Sequence, residues 1–378
     1  MKLTCDRLEL SEALSLVATV VPARSPRPVL QNVCIRATKD QVEILATDLE
    51  VSLRATVKRV DVERPGEALV PAAKAVAIIR ELSGDKVEIS SEDRITTISA
   101  DGSRFKIVGE DPAEFPAIPR FEEPGAPAEA GAAASAGVIK FGRTQLETMI
   151  RKTQFSAASE GTRYALNGVL FDLKDNRLRL VATDGKRLAL CERPVELAGA
   201  STVIHCVVPT KGVQQLARLG GPDDETISLK FSDRTLLAQS SRATLSAQLV
   251  QGHFPPYDGV IPVGHPRKVE FEAAFFLPAL RRASVLTTEE SKGVKLTFGF
   301  NKLTLSSRTP EVGESTIEVP VPYADDPMEV SFDPKYLIDA LKVLDSERFI
   351  LELKDDTSPG VLKEGESFTY VVMPISLT

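Results

Sequence analysis

The feature that most constrains this chain is that it repeats itself. "ATDLEVSLRA" starts at Ala46 and "ATDGKRLALC" at Ala182, 136 residues later, and each follows an alternating apolar run. The first copy opens with "LSEALSLVATVV", whose Leu10, Ala13, Leu14, Val17 and Val21 fall at helical spacing. "NVCIRATKDQVEILATD" then alternates through Val33, Ile35 and Ala37, turns at Lys39-Asp40 and returns through Val42 and Ile44, which predicts a hairpin. The second copy writes the same sentence as "RTQLETMIRKTQF", with Thr144 and Glu147 in capping-box spacing, and "GVLFDLKDNRLRLVATD". The third copy is weaker: "AAFFLPALRRASVL", with Pro278 expected in the first helical turn, and "GVKLTFGFNKLTLSSRT". Each copy continues with a Pro-started helix, at Pro71, Pro209 and Pro334, followed by further strands.

The registers agree. Pro71 and Pro209 are 138 residues apart, while Val169 to Val294 and Pro209 to Pro334 are both 125. The longer first spacing lies where the Pro/Gly-rich, aromatic-free run "EEPGAPAEAGAAASAG" interrupts the pattern, which reads as a flexible linker. A period near 125 is too long for a solenoid unit and right for a whole domain. The expectation is an α+β chain of three similar domains, each with two helices and about eight strands: residues 1–120, a linker at 121–137, then 138–262 and 263–378.

Several function classes find no support. No apolar run reaches the ~18 residues of a membrane span, and "MKLTCDRLEL" lacks a signal-peptide core. Four scattered cysteines without a C-x-x-C fit a reduced, cytoplasmic chain with buried thiols. His205, His253 and His265 stand at no metal-ligand spacing. No nucleotide-binding or nucleophile-elbow motif occurs, so no cofactor, metal or catalytic residue is expected. Asp48 and Asp184 could form a carboxylate pair for hydrolysis. The third copy has Ser307-Arg308-Thr309 instead, and a capped turn after a strand explains each Asp more simply.

The net charge of −7 argues against nucleic acid until its distribution is considered. Most of the helical windows are basic, through Lys74, Arg80, Arg151, Lys152, Lys211, Arg218, Arg281, Arg282, Lys335 and Lys342. Arg24 and Arg27 follow the first helix. An acidic protein with a basic surface built of helices suits contact with a DNA backbone without base reading.

The order of "ATDLE", "RYALNGVLF", "ATDGKRLA", "FPPYDGVIP" and the terminal "YVVMPISL" resembles the bacterial DNA polymerase III beta subunit, the sliding clamp family, over the whole chain. The resemblance implies a DNA-clamp-like fold and a head-to-tail homodimeric ring of six domains around duplex DNA, with helices lining the bore. Helices packed ~10 Å apart support two chains: twelve on a circle leave a bore of about 28 Å, room for a duplex, whereas six do not. It implies a non-catalytic processivity factor tethering the polymerase III alpha subunit, the clamp loader, other polymerases and repair proteins through short peptides. The alternative is a clamp-like paralogue that docks peptides without serving replication.

Carried over residue by residue, the resemblance implies a peptide pocket of Leu166, Thr183, Gly185, Lys186, Arg187, Leu188, Pro255, Val260, Val371, Met373, Pro374 and Ile375. It implies DNA contacts from Arg24 and Tyr164, to which the charge pattern adds Arg151, Lys152, Lys211 and Arg218. It implies a dimer interface of Lys74, Ile78, Leu82 and Phe105 against Val285 and Leu286 of the second copy. The chain departs from the family's usual residues at Ala73, Glu160, Ala165, Lys186, Gly259 and Ser376.

Overall fold

A computed structural model describes residues 1–121, 138–159, 165–195, 204–221, 225–310 and 312–376. The expected linker falls almost wholly outside them. The first repeat runs β1 (Lys2–Asp6), α1 (Arg7–Val17), β2 (Asn32–Ala37), β3 (Val42–Thr47), β4 (Val51–Val57), β5 (Val60–Arg64), β6 (Gly66–Pro71), α2 (Ala72–Glu81), β7 (Lys86–Glu92), β8 (Ile95–Ala100) and β9 (Ser103–Val108). The second has β10 (Val138–Gly142), α3 (Arg143–Thr153), β11 (Gly168–Lys174), β12 (Arg177–Thr183), β13 (Arg187–Pro194), β14 (Ile204–Pro209), α4 (Thr210–Ala217), β15 (Thr226–Phe231), β16 (Thr235–Gln239) and β17 (Ala243–Gln248). The third has β18 (Arg267–Glu272), α5 (Ala273–Ala283), β19 (Val294–Gly299), β20 (Lys302–Thr309), β21 (Gly313–Pro320), β22 (Met328–Phe332), α6 (Pro334–Leu341), β23 (Arg348–Leu353), β24 (Gly360–Glu364) and β25 (Phe368–Val372).

Local chemistry explains the element ends. Asp6 caps α1, its carboxylate accepting from the Glu9 amide at 2.9 Å, and Asp333 caps α6 from the Lys335 amide at 2.9 Å with Pro334 in the first turn. The β11–β12 hairpin turns through Asp175 and Asn176, both at positive φ (53° and 57°), the pattern of a tight two-residue turn. Three expectations shift. Helix α3 starts at Arg143, so Thr144 lies inside it, and the Glu147 carboxylate accepts from Arg143 at 3.0 Å. Pro278 sits mid-helix in α5, on an exposed position. Helix α4 ends at Ala217, so Arg218 lies beyond it.

The sheets do not respect the repeats. One eight-stranded sheet runs β10-β15-β16-β17-β4-β3-β2-β6, and the other β14-β11-β12-β13-β25-β24-β23-β18. In each, the fourth strand of one repeat pairs antiparallel with the last strand of the next: β4 with β17, and β13 with β25. These two pairings are seams between repeats. Both flanking sheets are shorter: β5-β1-β7-β8-β9 and β21-β20-β19-β22. The chain accordingly divides into two compact units that cut through the second repeat, one built mainly of Met1–Glu147 and Lys211–Leu249, the other mainly of Thr148–Pro194 and Val250–Thr378. In the first unit α1 packs on β3 and β4 with Leu10, Leu14 and Val17 inward, and every residue of β3 is buried. In the second, α5 packs on β20 and β21 with Phe276, Leu280 and Ala283 inward, and Phe271, Phe276 and Phe349 cluster beside it.

Candidate functional site

The two Ala-Thr-Asp copies build one and the same turn. Thr47 Oγ1 donates to the Val51 carbonyl at 3.2 Å and accepts from the Leu49 amide at 2.9 Å. Thr183 Oγ1 donates to the Arg187 carbonyl at 2.6 Å and accepts from the Gly185 amide at 3.1 Å. Asp48 accepts from the amides of Glu50 and Val51 at 3.0 and 2.7 Å, and Asp184 from those of Lys186 and Arg187 at 3.0 and 3.1 Å. The third residue of each turn has positive φ, 81° at Leu49 and 89° at Gly185. Both aspartates are therefore turn caps in separate units, not a carboxylate pair.

Each turn then binds the last strand of the following repeat. The Gln248 amide donates to the Glu50 carbonyl at 2.8 Å, and the Met373 amide to the Lys186 carbonyl at 2.9 Å. At the first seam, the Gln248 side chain folds back and donates to the Leu49 carbonyl at 2.8 Å. At the second seam, the equivalent residue is Met373, 41% exposed. Leu166, Leu170, Val181, Leu188, Leu190, Phe254, Tyr257 and Val371 form the apolar cluster beneath it. The first repeat's counterpart, around Leu30, Leu45 and Leu69, packs against Phe115 and Ile118, as the second cluster packs against Ala158, Val250 and Ile261.

A cavity of about 820 Å³ gathers Lys186, Met373, Pro374 and Ile375 with Asp333 and Tyr336 of the third repeat. Leu166, Leu188 and Val371 are buried in the adjoining cluster, Thr183 is buried in the turn, and Gly185 is exposed at its tip. Pro255 is half-buried and Val260 exposed, on the segment that Tyr257 anchors by donating to Asp172 at 2.5 Å. Burial, then the Asp172 contact, pushes the Tyr257 pKa up, so it stays a neutral donor.

Arg187 corrects an expectation. Its guanidinium donates to Asp184 at 3.0 Å, Asp339 at 3.0 Å and the Phe155 carbonyl at 2.8 Å, and stacks on Tyr336 at 4.6 Å. Burial works against its charge, but the contacts with Tyr370 and Asp339 outweigh that and hold its pKa above the ordinary value. Three of its five N–H donors are engaged within its own chain, so it braces the pocket. The sequence reading missed Tyr336, Asp333 and Asp339, which lie about 150 residues from the turn and carry no local signal.

The basic candidates divide. Arg24 and Arg218 are exposed. Tyr164 lies outside the described residues. Lys152 is 2% exposed and paired with Glu364 and Asp345, so it is not a surface contact. Arg151 is tied to Asp345 at 2.5 Å and to the Val343 carbonyl at 2.7 Å, and Lys211 to Asp48. These three cations pair with carboxylates of their own chain, although Arg151 and Lys211 remain 40% and 38% exposed. Arg281 and Arg282 of α5 are exposed.

Among the expected interface residues, Lys74 and Phe105 are exposed, Val285 is 74% exposed, and Ile78 and Leu286 are half-buried. Leu82 is 5% exposed within its own chain, where it is a core residue and not a free contact. Cys5, Cys34, Cys191 and Cys206 are all free thiols, the last half-buried. No helix among the described residues is long and apolar enough to cross a membrane.

Comparison with known proteins accounts for the repeats. The N-terminal, central and C-terminal domain families of the DNA polymerase III beta subunit match residues 1–119, 141–256 and 258–376. A beta sliding clamp of Pseudomonas putida is 33% identical over 382 aligned residues, and one of Escherichia coli K12 is 30% identical over 381, each match covering 100% of both chains. A crystal structure of the Pseudomonas aeruginosa sliding clamp bound to griselimycin superposes with a TM-score of 0.92 at 31% identity, again over 100% of both chains. With all three domain families matched in order, the chain belongs to the DNA polymerase III beta subunit family, the non-catalytic beta sliding clamps of DNA replication.

Proposed function

We propose that two copies of this chain close head to tail into a ring around duplex DNA and hold DNA polymerase III on its template. One observation carries this reading: the two short sheets are halves of the pattern that the long sheets complete. Each long sheet joins four strands of one repeat, β4-β3-β2-β6 or β13-β12-β11-β14, to four of the next, β17-β16-β15-β10 or β25-β24-β23-β18. The β21 sheet holds the first set and the β9 sheet the second, with β5 added, and β21 and β9 are the edges left unpaired. Ser52 stands opposite Ser246 at the first seam and Leu188 opposite Val371 at the second. Carrying that register over sets Glu314 opposite Lys106, and Ser315 opposite Phe105, of a second copy. Val108 (71% exposed) and Val285 would then be covered, and two unpaired edges, a standing risk of aggregation, would be removed.

Helices from both copies would line the bore. Its phosphate contacts then fall to Arg24, Arg218, Arg281 and Arg282, many, weak and independent of sequence. We further propose domain limits at 1–120, 138–262 and 263–378, and the pocket around Met373 as the dock for short peptides. The polymerase III alpha subunit, the clamp loader, and other polymerases and repair proteins would bear them. Two or three apolar anchors that order on binding suit an affinity near the micromolar range, about −8 kcal/mol.

Sizing with multi-angle light scattering tests the ring. The parent should have the mass of two chains. Val285→Asp, which places an unpaired charge on a position already exposed in the single chain, should give one chain with an unchanged thermal melt. A monomeric parent, or an undiminished Val285→Asp dimer, contradicts the reading.

A further inference from the structure

The two within-chain seams occupy equivalent places but are not fastened alike. At the second seam, the end of α3 meets the β24 strand and the segment after α6. Lys152 lies between Glu364 and Asp345, at 2.8 Å from the latter, with its ammonium 5.5 Å from the Phe368 ring centre. Arg151 grips Asp345 from the other side at 2.5 Å. Glu364 also accepts from the amides of Asp345 and Ser346 at 2.7 and 2.6 Å. Lys152 and Glu364 are both buried, so this one ion pair joins two repeats where water screens it little, while Arg151 and Asp345 beside it are 40% and 51% exposed.

The internal repeat identifies the matching positions at the first seam. Helix α1 matches α3, placing Ser15 and Leu16 where Arg151 and Lys152 stand. Strand β16 matches β24, placing Gln239 at Glu364, and the segment after α4 places Gly220 at Asp345. All four charges are absent. In their place is a groove of about 680 Å³, lined by Leu16, Gly220, Ser241 and Arg242 among others. Across this seam run a 3.2 Å pair of Arg242 with Glu12, both well exposed and of a kind that contributes little, the Lys211–Asp48 pair, and a 2.6 Å hydrogen bond between Thr19 and Gln215, none of them an ion pair buried on both sides.

We infer that the second seam is locked and that the first is the compliant joint at which the chain flexes. The inference concerns the single chain and stands apart from the ring. Removing one partner of a buried pair leaves the other charge without compensation, so the lock is sensitive to a single neutral substitution.

Hydrogen exchange read by mass spectrometry on the full chain tests it at the two cross-seam ladders, β4 with β17 and β13 with β25. At neutral pH, the first ladder should open about tenfold more often than the second or more. Glu364→Gln should raise opening at β13–β25 by a similar factor and leave β4–β17 unchanged. The reciprocal graft, Leu16→Lys with Gly220→Asp and Gln239→Glu, should slow exchange at the first ladder. Should the graft fail to fold, the parent and Glu364→Gln still decide. Equal protection of the two ladders in the parent, or a second ladder indifferent to Glu364→Gln, overturns the inference.

Discussion

At the residue scale, the chain's charges perform two kinds of work that a sequence does not separate. Lys152 and Arg218 look alike in a charge count, yet one is sealed against Glu364 and the other is exposed. Charge is legible in a sequence; its partner, from another repeat, is not. Likewise nothing in the sequence around Arg187 announces that it is held by Asp184, Asp339 and the Phe155 carbonyl. Acid should reveal the buried set. Burial alone would raise the carboxyls of Glu364 and Asp345, but hydrogen bonds from Lys152, with Arg151 and the local amides, carry both below their ordinary values. Cys191 and Arg193 are the further titratable groups at this cluster. A lowered folded pKa means that the stabilisation is complete above the unfolded value near 4 and is lost as pH falls through the folded one. Urea midpoints of the parent should hold level from neutral pH to about pH 5 and fall below about pH 4. Glu364→Gln should show a shallower fall, and Lys152→Ala should cost about 3–5 kcal/mol at neutral pH. An acid slope unchanged in Glu364→Gln would mean that the pair does not support the fold.

At the scale of elements, the Ala-Thr-Asp turn shows how one motif serves two ends. Its geometry was legible: alternation ending in Thr-Asp predicts a strand running into a capped turn, and both copies form it. What would make only the second copy a peptide dock lies elsewhere. Both Gln248 and Met373 are exposed, but Gln248 ties its amide back to the Leu49 carbonyl while Met373 presents an apolar side chain. Helix limits slipped for a related reason, since Pro278 is tolerated inside α5 by an exposed position that only packing reveals. Thr183→Val removes a donor and acceptor from the second turn, and Thr47→Val does the same to the first. Each should cost about 1 kcal/mol in a urea melt. Only Thr183→Val should weaken binding of a Gln-Leu-x-Leu-Phe type peptide, by about tenfold in fluorescence anisotropy. Truncation after Met373 should abolish that binding and leave the dimer intact. Equal peptide affinity in both threonine variants would place the dock away from this turn.

At the scale of the whole molecule, threefold repetition set the architecture before any contact was known. The strand that ends one repeat finds the fourth strand of the repeat before it, twice within the chain, and the proposed ring would form the third such pair between copies. An acidic exterior with a sparse basic lining would let such a ring hold DNA by enclosure instead of affinity. Enclosure and affinity respond oppositely to salt, because phosphate contacts weaken steeply as counterions compete while a topological link does not. The most direct test therefore loads the protein on nicked circular DNA with a clamp loader and follows it through a sizing column in high salt. The account predicts co-elution with the circle and release once the circle is cut to a linear form. Loss of the protein from intact circles in high salt, or equal retention on circles and linear DNA, would contradict it.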